Sequence, residues 1–173
     1  MYNSPVLFDQ SETITNQFSL HPVRRNHLII FEQQSAKDIS HLINYMKLED
    51  IEHELYEIHE STHLEDLQAI LNRQKMGTQL YIASQWDQAV AIFTAAEAAG
   101  FTEDEIQTVI NGPKRRYVYC MKCYQLSEIG DEQEAQCSHC QAMMEVGPFF
   151  SKVRKGYIGY PFKPSGKETV ENL

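Results

Sequence analysis

Between residues 27 and 110 the apolar positions alternate between two spacings. His27-Leu28-Ile29-Ile30-Phe31 is an unbroken apolar run of strand length, the pattern of a strand covered on both faces. After Ser35, a candidate N-cap, Ile39, Leu42, Ile43 and Met46 fall at i, i+3, i+4 and i+7 and predict one buried helix face. Residues 51–58, IEHELYEI, alternate and predict a second strand, at a sheet edge or with an exposed face. Thr62-His63-Leu64-Glu65 has the form of a capping box ahead of the stripe Leu64, Leu67, Ile70 and Leu71, and Gly77 is placed to end that helix. Gln79-Leu80-Tyr81-Ile82-Ala83 predicts a third strand. Ser84 is positioned to cap a helix that buries Trp86, Ala89, Val90, Phe93 and Ala96 and closes at Gly100. EIQTVI, residues 105–110, predicts a fourth strand.

Strands alternating with helices predict an α/β fold with a small parallel sheet of about four strands, joined by right-handed crossovers. Upstream, Pro5-Val6-Leu7-Phe8 reads as a short strand or as part of an N-terminal arm, residues 1–25, lying on the core. Such folds often bind nucleotides, but the first glycine of the chain is Gly77, and neither GxGxxG nor GxxxxGK[ST] occurs. The segment after the first strand, Glu32-Gln33-Gln34-Ser35, has no bare backbone to bring against a pyrophosphate. No cofactor-binding residue is therefore assigned there.

Charge changes the picture near residue 112. Residues 1–112 hold 6 Lys+Arg against 17 Asp+Glu, a balance of −11, while residues 113–173 hold 9 against 7, a balance of +2. Asn111-Gly112-Pro113 supplies turn chemistry at the same place. Two domains follow: residues 1–112 as the α/β part and 113–173 as a smaller module. The 42% hydrophobic and 23% charged residues are ordinary for a globular chain. No apolar run reaches the roughly 18–20 residues that span a bilayer, and the first residues lack a secretory pattern. A cytoplasmic protein with no membrane contact is the expectation.

All four cysteines fall in the second domain, as Cys120-Met-Lys-Cys123 and Cys137-Ser-His-Cys140. A CxxC knuckle points two thiolates at one ion, and two knuckles complete a tetrahedral S4 shell. In a cytosolic chain such paired cysteines favour metal over disulfides. Cys120, Cys123, Cys137 and Cys140 are thus the predicted ligands of one structural zinc in a zinc ribbon. A rubredoxin-type iron site, which would carry electrons, uses the same knuckles and is the rival. The stretch between the knuckles is expected to return as a hairpin, with Tyr117–Tyr119 entering and Ala142–Phe150 leaving. His139 is expected outside the shell.

Beyond the second knuckle, Lys152, Arg154, Lys155 and Lys163 interleave with Phe149, Phe150, Tyr157, Tyr160 and Phe162. A basic, aromatic tail of this kind suits a protein interface, a ribbon strand with a solvated basic edge, or single-stranded nucleic acid. His59 and His63 are four apart, with no motif placing a carboxylate beside them. GxSxG, HExxH and Cys/His nucleophile patterns are absent, and no catalytic residue is assigned.

Arg116-Tyr117-Val118-Tyr119-Cys120-Met-Lys-Cys123, Cys137-Ser-His-Cys140 and Phe149-Phe150-Ser151-Lys152-Val153-Arg154-Lys155-Gly156-Tyr157-Ile158-Gly159 together resemble the C-terminal domain of the small subunit of dimethylamine monooxygenases. Phe149 stands where that family's pattern has histidine. Gln79–Ala83 with Trp86, Gly100-Phe101 and Glu105-Ile106 is similar to the last βαβ unit of ferredoxin-reductase NAD(P)-binding domains. Ala83-Ser84-Gln85 replaces that family's Cys-Gly-Pro, which implies the fold without the cofactor. The resemblance implies a non-catalytic zinc subunit of a multicomponent NAD(P)H-dependent monooxygenase that oxidatively demethylates a small secondary amine such as dimethylamine. It would serve assembly or docking for electron transfer. Flavin, iron–sulfur and oxygen-activating iron would reside in partner subunits of the complex. The alternative is a zinc-ribbon nucleic-acid-binding protein, a less favoured partner class for so acidic a chain.

Overall fold

A computed structural model describes residues 5–21, 23–59 and 62–163, so the end of the basic stretch beyond Lys163 and the first residues of the arm lie outside the described residues. The chain divides into two compact units, Met1–Lys114 and Arg115–Leu173.

The first unit carries β1 (His27–Glu32), α1 (Ala36–Leu48), β2 (Glu54–Ile58), α2 (Leu64–Asn72), β3 (Gln79–Ser84), α3 (Trp86–Ala98) and β4 (Ile106–Ile110). The strands form one parallel sheet in the order β2-β1-β3-β4, so the α/β expectation of a small four-stranded parallel sheet holds. Both faces are covered. Leu28, Ile30, Leu80 and Ile82 pack with α2 and α3; Ile29, Tyr81 and Ala83 pack with Ile39, Leu42 and Met46 of α1. That two-sided burial is why β1 and β3 read as unbroken apolar runs. β2 takes the edge, with Glu54, Leu55 and Glu57 exposed. Along the other edge, Thr13 and Thr15 bond to Thr108 of β4, and Leu7 and Phe18 are buried. Residues 5–8 lie as part of an arm rather than as a strand.

Helix ends depart from expectation. Ser35 occupies the N-cap position of α1 but makes no capping bond; its buried hydroxyl accepts from Asn111 Nδ2 at 3.3 Å. The capping box at Thr62 does not form. Thr62 Oγ1 accepts instead from the His59 N–H at 2.9 Å, His63 becomes the N-cap, and Leu64, expected in the buried stripe, is 55% exposed. Ser84 ends β3, leaving Gln85 as the N-cap of α3. Gly77, with φ +80°, turns the chain into β3 well after α2 has ended at Asn72. Gly100 does end α3: it donates to Glu97 O while Phe101 N–H donates to Ala96 O, the paired bonds of a Schellman motif. Asp50, with φ +53°, closes α1 in the same way, without a glycine to announce it.

The second unit is a five-stranded sheet in the order β6-β5-β9-β8-β7, with β5 (Arg116–Cys120), β6 (Leu126–Ile129), β7 (Glu134–Gln136), β8 (Met143–Ser151) and β9 (Gly156–Pro161). The stretch between the knuckles does not form a single hairpin, as expected from sequence; β6 and β7 lie on opposite edges. Each knuckle closes its own hairpin, β5–β6 and β7–β8. β9 joins them, parallel to β5 and antiparallel to β8. The residues expected to trail as a tail thus include the central strand of the sheet. No helix among the described residues is long and apolar enough to cross a membrane.

Candidate metal centre

The two knuckles are built alike. Tyr124 N–H donates to Cys120 O at 2.8 Å and Gln141 N–H to Cys137 O at 3.0 Å, while Cys120 and Cys137 each donate to the carbonyl five residues on at 2.9 Å. The residue after each second cysteine is left-handed, Tyr124 at φ +61° and Gln141 at +58°. Side chains in that region cost about 1–2 kcal/mol each, offset here by the turn's backbone bonds. Nothing in the residue types signals this conformation, since neither position is Gly or Asn.

These turns converge four sulfurs. The Sγ atoms of Cys120, Cys123, Cys137 and Cys140 all lie within 4.8 Å of one another. Cys120 and Cys140 are 3.8 Å apart, and Cys123 and Cys137 3.6 Å. A tetrahedron with metal–sulfur bonds of about 2.3 Å has edges of roughly 3.8 Å, whereas a disulfide requires about 2.05 Å. The spacing suits one shared ion and excludes disulfides in this conformation. Among the described residues no other group of three or more His, Cys, Asp or Glu has such geometry.

Polar hydrogens surround the sulfurs. Lys122 N–H donates to Cys120 Sγ at 3.4 Å, Cys140 N–H to Cys137 Sγ at 3.5 Å, and the buried Ser127 hydroxyl to Cys137 Sγ at 3.7 Å. Ser127 Oγ also accepts from Ser138 N–H at 3.1 Å, tying β6 to the second knuckle; no motif marks this serine in the sequence. Burial pushes the Cys123 thiol up to about 12. At Cys137 burial opposes ionisation, but the backbone N–H groups of Cys140 and His139 and the Ser127 hydroxyl bring it down to about 6. His139 lies outside the sulfur cluster, exposed, with Nε2 3.1 Å from Leu126 O.

The packing around the cluster explains the glycines that follow it. A Cβ on Gly159 would lie 2.7 Å from Val118 Cγ2 and 2.8 Å from Met144 Sδ; one on Gly156 would lie 3.0 Å from the Tyr117 carbonyl. β9 therefore needs glycine to reach its neighbours. Tyr157, between them, is buried, with the Arg116 guanidinium 4.8 Å above its ring and Phe150 edge-on at 5.5 Å.

In the α/β unit, the C-terminal ends of the strands are where ligands of such folds bind. There Glu32 Oε2 accepts from Gln85 N–H at 2.6 Å, placing a carboxylate of this chain at the N-terminus of α3. At the opposite ends of the strands, a cavity of about 520 Å³ is lined by Arg25, His27, His53, Glu54, Arg73 and Lys75, with Arg73 paired to Glu54 at 2.9 Å. His59 and His63 do not share a helix face: His63 only caps α2, and His59 lies 4.0 Å from Glu57.

Residues 117–160 match the family model described as dimethylamine monooxygenase subunit DmmA-like, C-terminal domain. No curated protein and no solved structure matches the chain. The matched span begins in β5, takes in both knuckles and ends in β9, so it covers the sheet and the sulfur cluster but none of the α/β unit. The family match and the four-cysteine cluster together fit a DmmA-like subunit with a C-terminal cysteine ribbon.

Proposed function

We propose that this chain is a zinc-binding, non-catalytic subunit of a multicomponent NAD(P)H-dependent monooxygenase that oxidatively demethylates a small secondary amine such as dimethylamine. The observation that carries the reading is the family match lying over the ribbon and its four converged thiols. Cys120, Cys123, Cys137 and Cys140 would hold the ion. Four thiolates suit zinc and leave no open position for water or substrate, so the metal would contribute folding energy rather than chemistry. The α/β unit supports a scaffold role, because Glu32 places negative charge where a bound pyrophosphate would need the α3 N–H groups. Electron carriers and the oxygen-activating centre belong, on this reading, to partner subunits, and this chain holds them in register.

Purification from the native host tests the reading. The chain is expected to co-purify with flavin- and iron-containing subunits, and its deletion to abolish dimethylamine oxidation. A chain that purifies alone, with oxidation intact after deletion, overturns it. Metal analysis by mass spectrometry is expected to find about one zinc per chain; one iron with a visible absorption band overturns the zinc assignment.

A further inference from the structure

The ribbon sheet has an inner face toward the sulfurs and an outer face away from them. Val118, Cys120 and Met144 are buried on the inner side. Strand alternation and register place Tyr119, Leu126, Ile158 and Tyr160 on the other. That outer face exposes Leu126 and Tyr160 beside Glu128, which pairs with Arg115, and Glu145, which lies opposite Tyr160. Six of the exposed large hydrophobic side chains, Met121, Tyr124, Leu126, Phe149, Val153 and Tyr160, belong to this unit; as many belong to the α/β unit, which is about twice as long. Tyr124 is 62% and Tyr160 55% exposed.

The same face carries one fixed cation, with a lysine next to it in sequence. The Arg154 guanidinium lies 4.9 Å over the Tyr119 ring, with Nη1 3.3 Å from the Tyr119 hydroxyl oxygen. Its backbone N–H donates to Ser151 Oγ at 3.2 Å, and Lys155 follows in a left-handed turn, φ +55°. Among the described residues, no carboxylate lies within ion-pair distance of Arg154 or Lys155. An arginine held by a ring rather than by an acid is pre-organised for an acid from elsewhere. Aromatic groups enriched beside arginine are the composition of a protein interface.

We propose that this outer face docks an acidic protein surface, with Tyr124, Leu126 and Tyr160 supplying apolar contact and Arg154 and Lys155 pairing with carboxylates of the partner. The partner is one of the catalytic subunits, so the inference rests on the subunit reading and deepens it. Nucleic acid is the weaker occupant. The positive excess of residues 113–173 is only +2 within a chain of −9, too little to hold a long phosphate backbone.

The test uses the full chain and the catalytic subunits that co-purify with it. Zero-length carbodiimide coupling, which joins lysine to carboxylate, is expected to link Lys155 to an Asp or Glu of one subunit. Arg154→Glu is expected to weaken binding roughly tenfold and to abolish most of its salt dependence. Tyr160→Ser is expected to weaken binding without changing that dependence. Circular dichroism and metal content, unchanged in each variant, show that the ribbon is folded. Wild-type affinity for both the Arg154→Glu and Tyr160→Ser variants overturns the docking face while leaving the subunit reading intact. If no catalytic subunit binds the wild-type chain, both fall. Binding of a single-stranded oligonucleotide that Arg154→Glu removes, with subunit affinity unchanged, replaces the protein partner by nucleic acid.

Discussion

Glycines in this chain serve two different needs, and substitution separates them. Gly100 has φ +96°, and a Cβ there would meet no atom within 4 Å, so Gly100→Ala adds backbone strain alone. A loss of about 1 kcal/mol is expected in chemical denaturation of the α/β unit. Gly159→Ala meets Val118 and Met144 at under 3 Å, and overpacking of this kind costs about 1–3 kcal/mol; it is expected to lower ribbon stability and metal retention together. His27 gives a pH effect. Burial holds its imidazole below the ordinary value of 6.5, the Arg24 backbone contact opposes this, and nearby His53 adds to it. Because the unfolded chain then binds the proton more readily than the folded one, stability is full above 6.5 and declines as pH falls below it. Thermal unfolding from about pH 7.5 to about pH 5.5 should show that decline, and His27→Gln should flatten it.

At the level of elements, two hairpins rather than a single loop hold the cysteines, and this gives a separable prediction. Trp86 is the one tryptophan of the chain and sits in α3. Every α-helix among the described residues is in the α/β unit. Chelation, or Cys137→Ser, is therefore expected to unfold the ribbon while Trp86 fluorescence and helical circular dichroism persist. Loss of both signals together would show that the units depend on each other. The elements legible in sequence are the four strands and three helices of the α/β unit, each carried by an apolar run or stripe, and the two CxxC turns. Caps are poorly legible because a hydroxyl has several backbone partners within reach. Ser35 turns to Asn111 and Thr62 to His59, while Thr102, whose N–H donates to Glu105 Oε2 at 3.0 Å ahead of β4, carries no apolar stripe to mark it. β6 and β7 escape sequence reasoning because strands of four and three residues carry too little pattern.

Across the whole molecule, charge and cysteine placement both change near residue 112 in sequence, and the compact units divide between Lys114 and Arg115. The place of residues 156–161 is not legible in the sequence. Their mix of glycine, tyrosine and nearby lysine looks like surface, yet Gly156, Tyr157 and Gly159 are buried. Local pattern does not report which strands a segment will lie between. Glu32 has a comparable long-range role: its contact with Gln85 spans 53 residues. Glu32→Gln is expected to cost about 1 kcal/mol by weakening the charge at the α3 N-terminus, measured by urea denaturation.

The central position of β9 has a consequence for the order in which the chain is made. Both knuckles leave the ribosome before residues 156–161, so the thiols are available to an ion while β5 and β8 still lack the strand that joins them. At ordinary elongation rates of about 5–20 residues per second, that interval is on the order of a second. During it the nascent module presents two unpaired strand borders, the condition under which chains pair with the wrong neighbour. Early capture of the ion would draw the two hairpins together and shorten that exposure, making metal supply during translation a determinant of yield.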